Sequence, residues 1–146
     1  MKRTDLHVTL GKVFRSHWRA STARFAKLGL SSAQPKILHF LSDNAGAMQK
    51  EIAESCNIEP ATATSVLTGM EQAQLIVRRA DEKDRRVVRT YLTEKGQDML
   101  HEICNIFKEI EDDTYLDFTD AEIDQLHQLL ERMAINLSKS AYETSI

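Results

Sequence analysis

Apolar spacing in this chain is helical almost throughout, and it breaks in one place. Ile76-Val77-Arg78-Arg79-Ala80 and Val87-Val88-Arg89-Thr90-Tyr91-Leu92 are rich in β-forming residues and flank Asp81 to Arg86, which is polar throughout. Two such runs around a short charged link predict a β-hairpin with an exposed tip. Two prolines and five glycines in 146 residues leave little room for long loops elsewhere. The expected fold class is mostly α with one small hairpin.

The helices can be placed from their periods and caps. Residues 5–28 carry Leu6, Leu10, Val13, Phe14, Trp18 and Phe25 at near-helical spacing, and Gly29 follows as a helix C-cap. Ser31 with Gln34 has the spacing of a capping box and starts a second helix with the apolar face Ile37, Leu38 and Leu41. A short third helix runs from Met48 to about Ser55. Asn57-Ile58-Glu59-Pro60 is a turn, and Pro60 suits the first position of a fourth helix that buries Val66, Leu67 and Met70 and ends near Ala73. After the hairpin, Thr93 caps a long helix with the stripe Met99, Leu100, Ile103, Ile106, Phe107 and Ile110. Thr119 and Glu122 form a second capping box. Ile123, Leu126, Leu130, Met133 and Leu137 then alternate steps of three and four, a seam for a partner helix.

A net charge of −3 by itself argues against a polyanionic partner, but the average hides a gradient. Residues 1–30 carry a balance of +6, residues 31–97 a balance of zero, and residues 98–146 a balance of −9. Within the neutral middle, Arg78 to Arg89 holds six basic and three acidic side chains. A polyanion responds to that local field. Cys56 and Cys104 are too few for a disulfide framework, which favours a reducing cytoplasm, and each reads as a small hydrophobe. No basic-then-apolar leader opens the chain, and no run of about eighteen apolar residues spans a membrane.

Two short helices around a tight turn form a helix-turn-helix candidate, and a hairpin directly after it makes a winged helix. The N-terminal residues of the second helix can then meet base edges in a major groove. Its exposed side chains there are Thr62, Thr64, Ser65 and Thr68. Asp84, Arg85 and Arg86 sit at the hairpin tip, where arginine can reach the electronegative minor groove. Asp84 can hold one of the two arginines in a bidentate pair while the other inserts.

The run from Thr62 to Gly96 resembles the core of the MarR family of bacterial winged-helix regulators. The matching elements are Pro60-Ala61-Thr62, Met70-Glu71, Leu75-Ile76, Asp84-Arg85-Arg86 and Leu92-Thr93-Glu94-Lys95-Gly96. The resemblance implies one domain over 1–146, with a winged helix-turn-helix lobe at about 31–96 and dimerisation helices in 1–30 and 97–146. It also implies a homodimer on a pseudo-palindromic operator, a repressor in most cases, released by a small amphipathic or phenolic ligand. Thr62, Thr64, Ser65 and Thr68 then face DNA, Arg85 and Arg86 lie at the wing tip, and Lys36, Gln49 and Lys50 lie near phosphates. A ligand pocket is expected where the first, second and fifth helices meet the lobe, with His17, Trp18, Arg24 and His39 as candidate lining. Two departures stand out. The recognition helix holds no basic residue between Glu59 and Glu71, with Ser65 and Gly69 where the family commonly has arginine or lysine. Gln74 replaces the usual glycine before the wing.

Other chemistries find little support. No two glycines lie within six residues of each other, and no Cys-x-x-Cys pair, zinc-protease helix or calcium loop is present. The five histidines show no metal-ligand spacing, so neither a catalytic centre, a metal nor another cofactor is expected. The alternative is a winged-helix protein-interaction module without specific DNA binding. The uncharged recognition helix favours it, and the Arg85-Arg86 tip opposes it.

Overall fold

The computed structural model describes residues 5–143, with side chains described from 5 to 140, so the basic Lys2 and Arg3 lie outside it. The element order is α1 (Leu6–Ala26), α2 (Gln34–Asp43), α3 (Gln49–Ser55), α4 (Pro60–Gln72), β1 (Ile76–Ala80), β2 (Val88–Leu92), α5 (Glu94–Thr114) and α6 (Asp120–Glu143). The mostly helical class and the single hairpin are as expected. The chain divides into two compact units, Met1–Ile110 and Glu111–Ile146.

In the first unit, Phe25 from α1, Ile37, Leu38 and Leu41 from α2, Ile52 from α3, Leu67 and Met70 from α4, and Leu100 and Ile103 from α5 close one apolar core. Val66, expected in it, is only half-buried, and fully buried Ala63 takes the inner face of α4 instead. The helix starts follow local chemistry, with one correction. The Ser31 N–H does donate to Gln34 Oε1 at 3.1 Å, yet α2 begins at Gln34. A helix capped by Ser31 would need residue 35 to donate the first bond, and Pro35 has no N–H.

Left-handed residues end two of the helices that matter most. At the end of α3, Asn57 takes φ 52° and the Ile58 N–H reaches back to Ala53 O at 2.9 Å. At the end of α4, Gln74 takes φ 61°, its N–H donates to Glu71 O at 3.0 Å, and the Leu75 N–H donates to Met70 O at 3.0 Å. Both are Schellman closures. Asparagine tolerates that conformation, whereas glutamine is strained in it.

The α4–β1 corner is also where α5 docks. The Thr93 hydroxyl donates to Gln74 O and itself accepts the Gly96 N–H, capping α5. Lys95 Nζ donates to Ala73 O at 2.8 Å, and the Thr93 N–H donates to Leu75 O at 3.1 Å. Gly96 then passes so close that an added Cβ would lie 2.1 Å from Leu75 O.

β1 and β2 form a two-stranded antiparallel sheet with Ile76 opposite Leu92, Arg78 opposite Thr90 and Ala80 opposite Val88. The far edge of β2 is held by the α2–α3 loop. The Gly46 N–H donates to Thr90 O at 2.9 Å, and the Thr90 N–H donates to Ala47 O at 3.0 Å. The hairpin therefore grows out of the helical core.

In the second unit, α6 opens with the capping box expected from sequence. The Thr119 N–H donates to Glu122 Oε2 at 2.9 Å, and the Glu122 N–H donates to Thr119 Oγ1 at 3.3 Å. Tyr115 Oη and His127 Nε2 lie 2.7 Å apart. None of the described α6 side chains is fully buried.

The glycine positions make a graded stability test. Gly96→Ala forces α5 off the corner and is expected to cost about 1–3 kcal/mol or more. A Cβ at Gly69 meets nothing within 4 Å, so Gly69→Ala is expected to stabilise by about 0.5–1 kcal/mol through helix propensity. Gln74→Gly relieves the left-handed strain and is expected to stabilise by about 1 kcal/mol. Urea unfolding at one fixed protein concentration checks all three, and a neutral Gly96→Ala contradicts the corner geometry.

Candidate nucleic-acid interface

Pro60 starts α4 directly after the Asn57 turn, which leaves one face of the helix to solvent. Thr62, Thr64 and Ser65 are exposed on it and Thr68 is half-buried. Three of these hydroxyls bond to the helix itself. Ser65 Oγ donates to Thr62 O at 2.9 Å, Thr68 Oγ1 to Thr64 O at 2.8 Å, and Thr64 Oγ1 to Pro60 O at 3.2 Å. Gln49 Nε2 in turn donates to Thr64 Oγ1 at 2.7 Å. Gln49 thus braces α3 against α4, and the Thr64 oxygen is engaged as both donor and acceptor. Ser65 and Thr68 present lone pairs outward and can donate only by rotating off their own helix. Lys50 stands 84% exposed on α3, within 4.0 Å of Glu54. That leaves its ammonium free to swing to a phosphate at little cost.

The wing is built by three acid–arginine pairs. Asp84 holds Arg86 bidentately, Oδ1 to Nε at 3.0 Å and Oδ2 to Nη2 at 3.0 Å, with the arginine side chain still 91% exposed. Asp81 accepts the backbone N–H groups of Lys83 at 2.7 Å and Asp84 at 3.2 Å, which shapes the tip, and also binds Arg89 Nε. Arg89 Nη1 reaches on to Gly46 O at 3.0 Å. Glu71 at the end of α4 takes Arg78 Nη2 on Oε1 at 3.0 Å and the Arg78 N–H on Oε2 at 3.1 Å. Arg79 faces Arg89 across the sheet, a like-charge pair that the Asp81 contact relieves, and its guanidinium lies 5.9 Å from the Tyr91 ring centre. Among the described residues, Lys83 and Arg85 have neither a carboxylate nor a ring partner. One tip arginine, Arg86, is gripped by Asp84 as expected, and Arg85 beside it is not.

A family model described as MarR family matches residues 30–88, from the α1–α2 loop to the first residue of β2. The transcriptional regulator MhqR of Bacillus subtilis is 24% identical over 135 residues, covering 92% of this chain and 93% of MhqR. The transcriptional repressor MdtR of the same organism is 29% identical over 100 residues, covering 68% of this chain and 64% of MdtR. The crystal structure of the transcriptional regulator SlyA superposes with a TM-score of 0.84 at 27% identity, over 93% of this chain and 96% of that one. The chain is similar to regulators of the MarR family, within that stretch and beyond it. It is a DNA-binding transcriptional regulator, a class defined by binding rather than catalysis.

The remaining candidates separate. His17 and Trp18 line a cavity of about 250 Å³ with Phe14, Phe25, Pro35, Lys36 and Phe107 among its walls. Lys36 therefore faces that cavity, and it also lines a groove with His39, Asp43 and Cys56. Arg24 pairs with Glu109 at 3.7 Å, and His39 sets its ring edge-to-face on Phe107 at 5.9 Å. Neither lines the cavity. Cys56 is buried, and burial pushes its thiol above the ordinary value, which opposes thiolate chemistry. Cys104 is exposed on α5. No group of three metal-ligating side chains occurs among the described residues, and no helix among them is long and apolar enough to cross a membrane.

Sequence reading missed Glu71 and Asp81 as wing supports. Each partner lies seven or eight residues away across a turn or tip, and only the strand register brings the charges together. The carboxyls of Glu71, Asp81 and Asp84 all lie below their ordinary values, held there first by hydrogen bonds from Arg78, Arg89 and Arg86 respectively. Groups lowered in this way contribute stability above the ordinary carboxylate range and lose it as pH falls through the lowered values. The wing is expected to stay ordered from neutral pH to about pH 5 and to loosen below about pH 4. Arginine Nε–H resonances of Arg86 and Arg89 report it, and loosening already near neutral pH would contradict the assignment.

Proposed function

We propose that this regulator is a homodimeric repressor that grips a pseudo-palindromic operator through two winged helix-turn-helix lobes and releases it when a small amphipathic or phenolic ligand binds. The observation that carries the reading is the wing tip. The Asp84 fork orders Arg86 in part before binding, and Arg85 stands beside it without a carboxylate partner. That pair of cations suits the narrow, electronegative minor groove. On α4, Thr62, Thr64, Ser65 and Thr68 form a hydroxyl face for the major groove. With no cation on that face, sequence is read by hydroxyls, threonine methyls and shape. Gln49 supports this face through Thr64, and Lys50 serves a phosphate. Lys36 serves either a phosphate or an anionic group of the ligand.

Dimerisation is supported by apolar faces that the chain does not cover. On α1, Val13 is 59% and Phe14 65% exposed, and on α6, Ile135 is 53% and Leu137 66% exposed. Burying such side chains stabilises by roughly 1.5–3 kcal/mol each. The basic N-terminal and acidic C-terminal regions are also complementary in charge. In this reading the lobe spans 31–96 and the dimer is built by 1–30 and 97–146. The two-fold axis spaces the half-sites about one helical turn apart. Repression is supported by the likeness to MdtR. Ligand response is supported by the cavity that His17 and Trp18 line with three phenylalanines, whereas Arg24 and His39 act as its struts.

Fluorescence anisotropy with pooled random duplex DNA, titrated with salt, tests the interface. Wild type is expected to bind with a steep salt dependence, and Arg85→Ala with Arg86→Ala to lose affinity across all sequences and flatten the salt slope by about two phosphate contacts. Equal binding by the double variant would refute the wing assignment. Absence of binding even at low salt would move the uncharged α4 face to a protein partner.

A further inference from the structure

Arg78 lies opposite Thr90 in the hairpin, and Thr90 spends both its N–H and its carbonyl on the α2–α3 loop. The two residues therefore form a non-hydrogen-bonded pair, and the Arg78 N–H points out of the open edge of β1. Glu71, in the last turn of α4, closes that edge. One of its carboxylate oxygens takes the Arg78 N–H at 3.1 Å and the other takes Arg78 Nη2 at 3.0 Å. The arginine side chain is 24% exposed and the glutamate 40%, so the pair is shielded on one side. A single side chain thus clamps the recognition helix to the first wing strand, both through its backbone and through its side chain. The opposite strand is held separately, by Arg89 to Gly46 O and by the Ala47–Thr90 bridge.

Two points of the protein must reach two grooves at once, and the angle between α4 and the hairpin decides whether they do. We propose that Glu71 is a positioning residue for DNA binding, which fixes where the Asp84–Arg86 tip arrives relative to the hydroxyl face of α4. It touches no DNA and acts through Arg78. The inference rests on the reading of the wing as a DNA contact.

The sign of one substitution separates positioning from simple electrostatics. Glu71→Gln removes a negative charge and releases a cation near the interface, which by charge alone tightens binding to a polyanion. Positioning demands the reverse, a loss of roughly fivefold or more. The measurement is a double-mutant cycle on pooled random duplex DNA and on the duplex selected from it. Wild type, Glu71→Gln, the Arg85/Arg86 double alanine variant and the combination are compared, with thermal midpoints to verify folding. The wing substitution is expected to cost much less in the Glu71→Gln background, because a misaimed tip has less to lose. Tighter or unchanged binding by Glu71→Gln, or an equal wing cost in both backgrounds, overturns the proposal. A double alanine variant that costs nothing in the otherwise native chain sinks the wing reading itself, a separable result. If Glu71→Gln fails to fold, Glu71→Asp keeps the charge but falls one methylene short of Arg78, and the same cycle applies to it.

Discussion

Three carbonyls at the end of α4 organise the winged-helix unit. Ala73, Gln74 and Leu75 carry the chain out of α4, and their oxygens have no donor within the helix. Lys95, the Thr93 hydroxyl and the Thr93 N–H supply the missing donors, and Gly96 removes the only atom that would keep α5 away. One corner therefore ends the recognition helix, starts β1 and receives α5. The Leu-Thr-Glu-Lys-Gly segment is a docking device, with a reason for the threonine, the lysine and the glycine each. The left-handed Gln74 is held in place by the same contacts that exploit it.

The wing extends from that corner by charge pairing rather than by burial. A two-stranded hairpin alone is marginal in water. Here its base is pinned to α4 by Glu71 and to the α2–α3 loop by Arg89, and its tip is folded around Asp81 and Asp84. The carboxylates that neutralise three of the wing's five arginines are what give those three direction. The recognition helix shows the opposite strategy. Three of its four hydroxyls, those of Thr64, Ser65 and Thr68, are satisfied within the helix, so the face costs little to expose.

Much of this was legible beforehand, for identifiable reasons. Helix spacing, Pro60 at a helix start, the Thr119–Glu122 box and the break in period at Ile76 are local signals, and the structure carries all of them. Ser31 misled because the box spacing was right while Pro35, next in line, could not donate. That Asp84 grips one tip arginine was readable from sequence, because the groups are neighbours, while the structure decided that the one is Arg86. The pairs Glu71–Arg78 and Asp81–Arg89 were not, since strand register decides them. Nor was the assignment of Lys36 to a cavity wall, or the withdrawal of Arg24 and His39 from it onto Glu109 and Phe107.

Sequence alone determined the element order, the hairpin and its charged tip, because each follows from chemistry within a few residues. The motifs that resemble the MarR family carried the functional class for the same reason, being compact and local. Tertiary structure decided the aim of the wing, the bracing of Thr64 by Gln49 and the walls of the cavity. Those depend on which carboxylate, amide or ring arrives from a distant element, and only the closing of the core sets that.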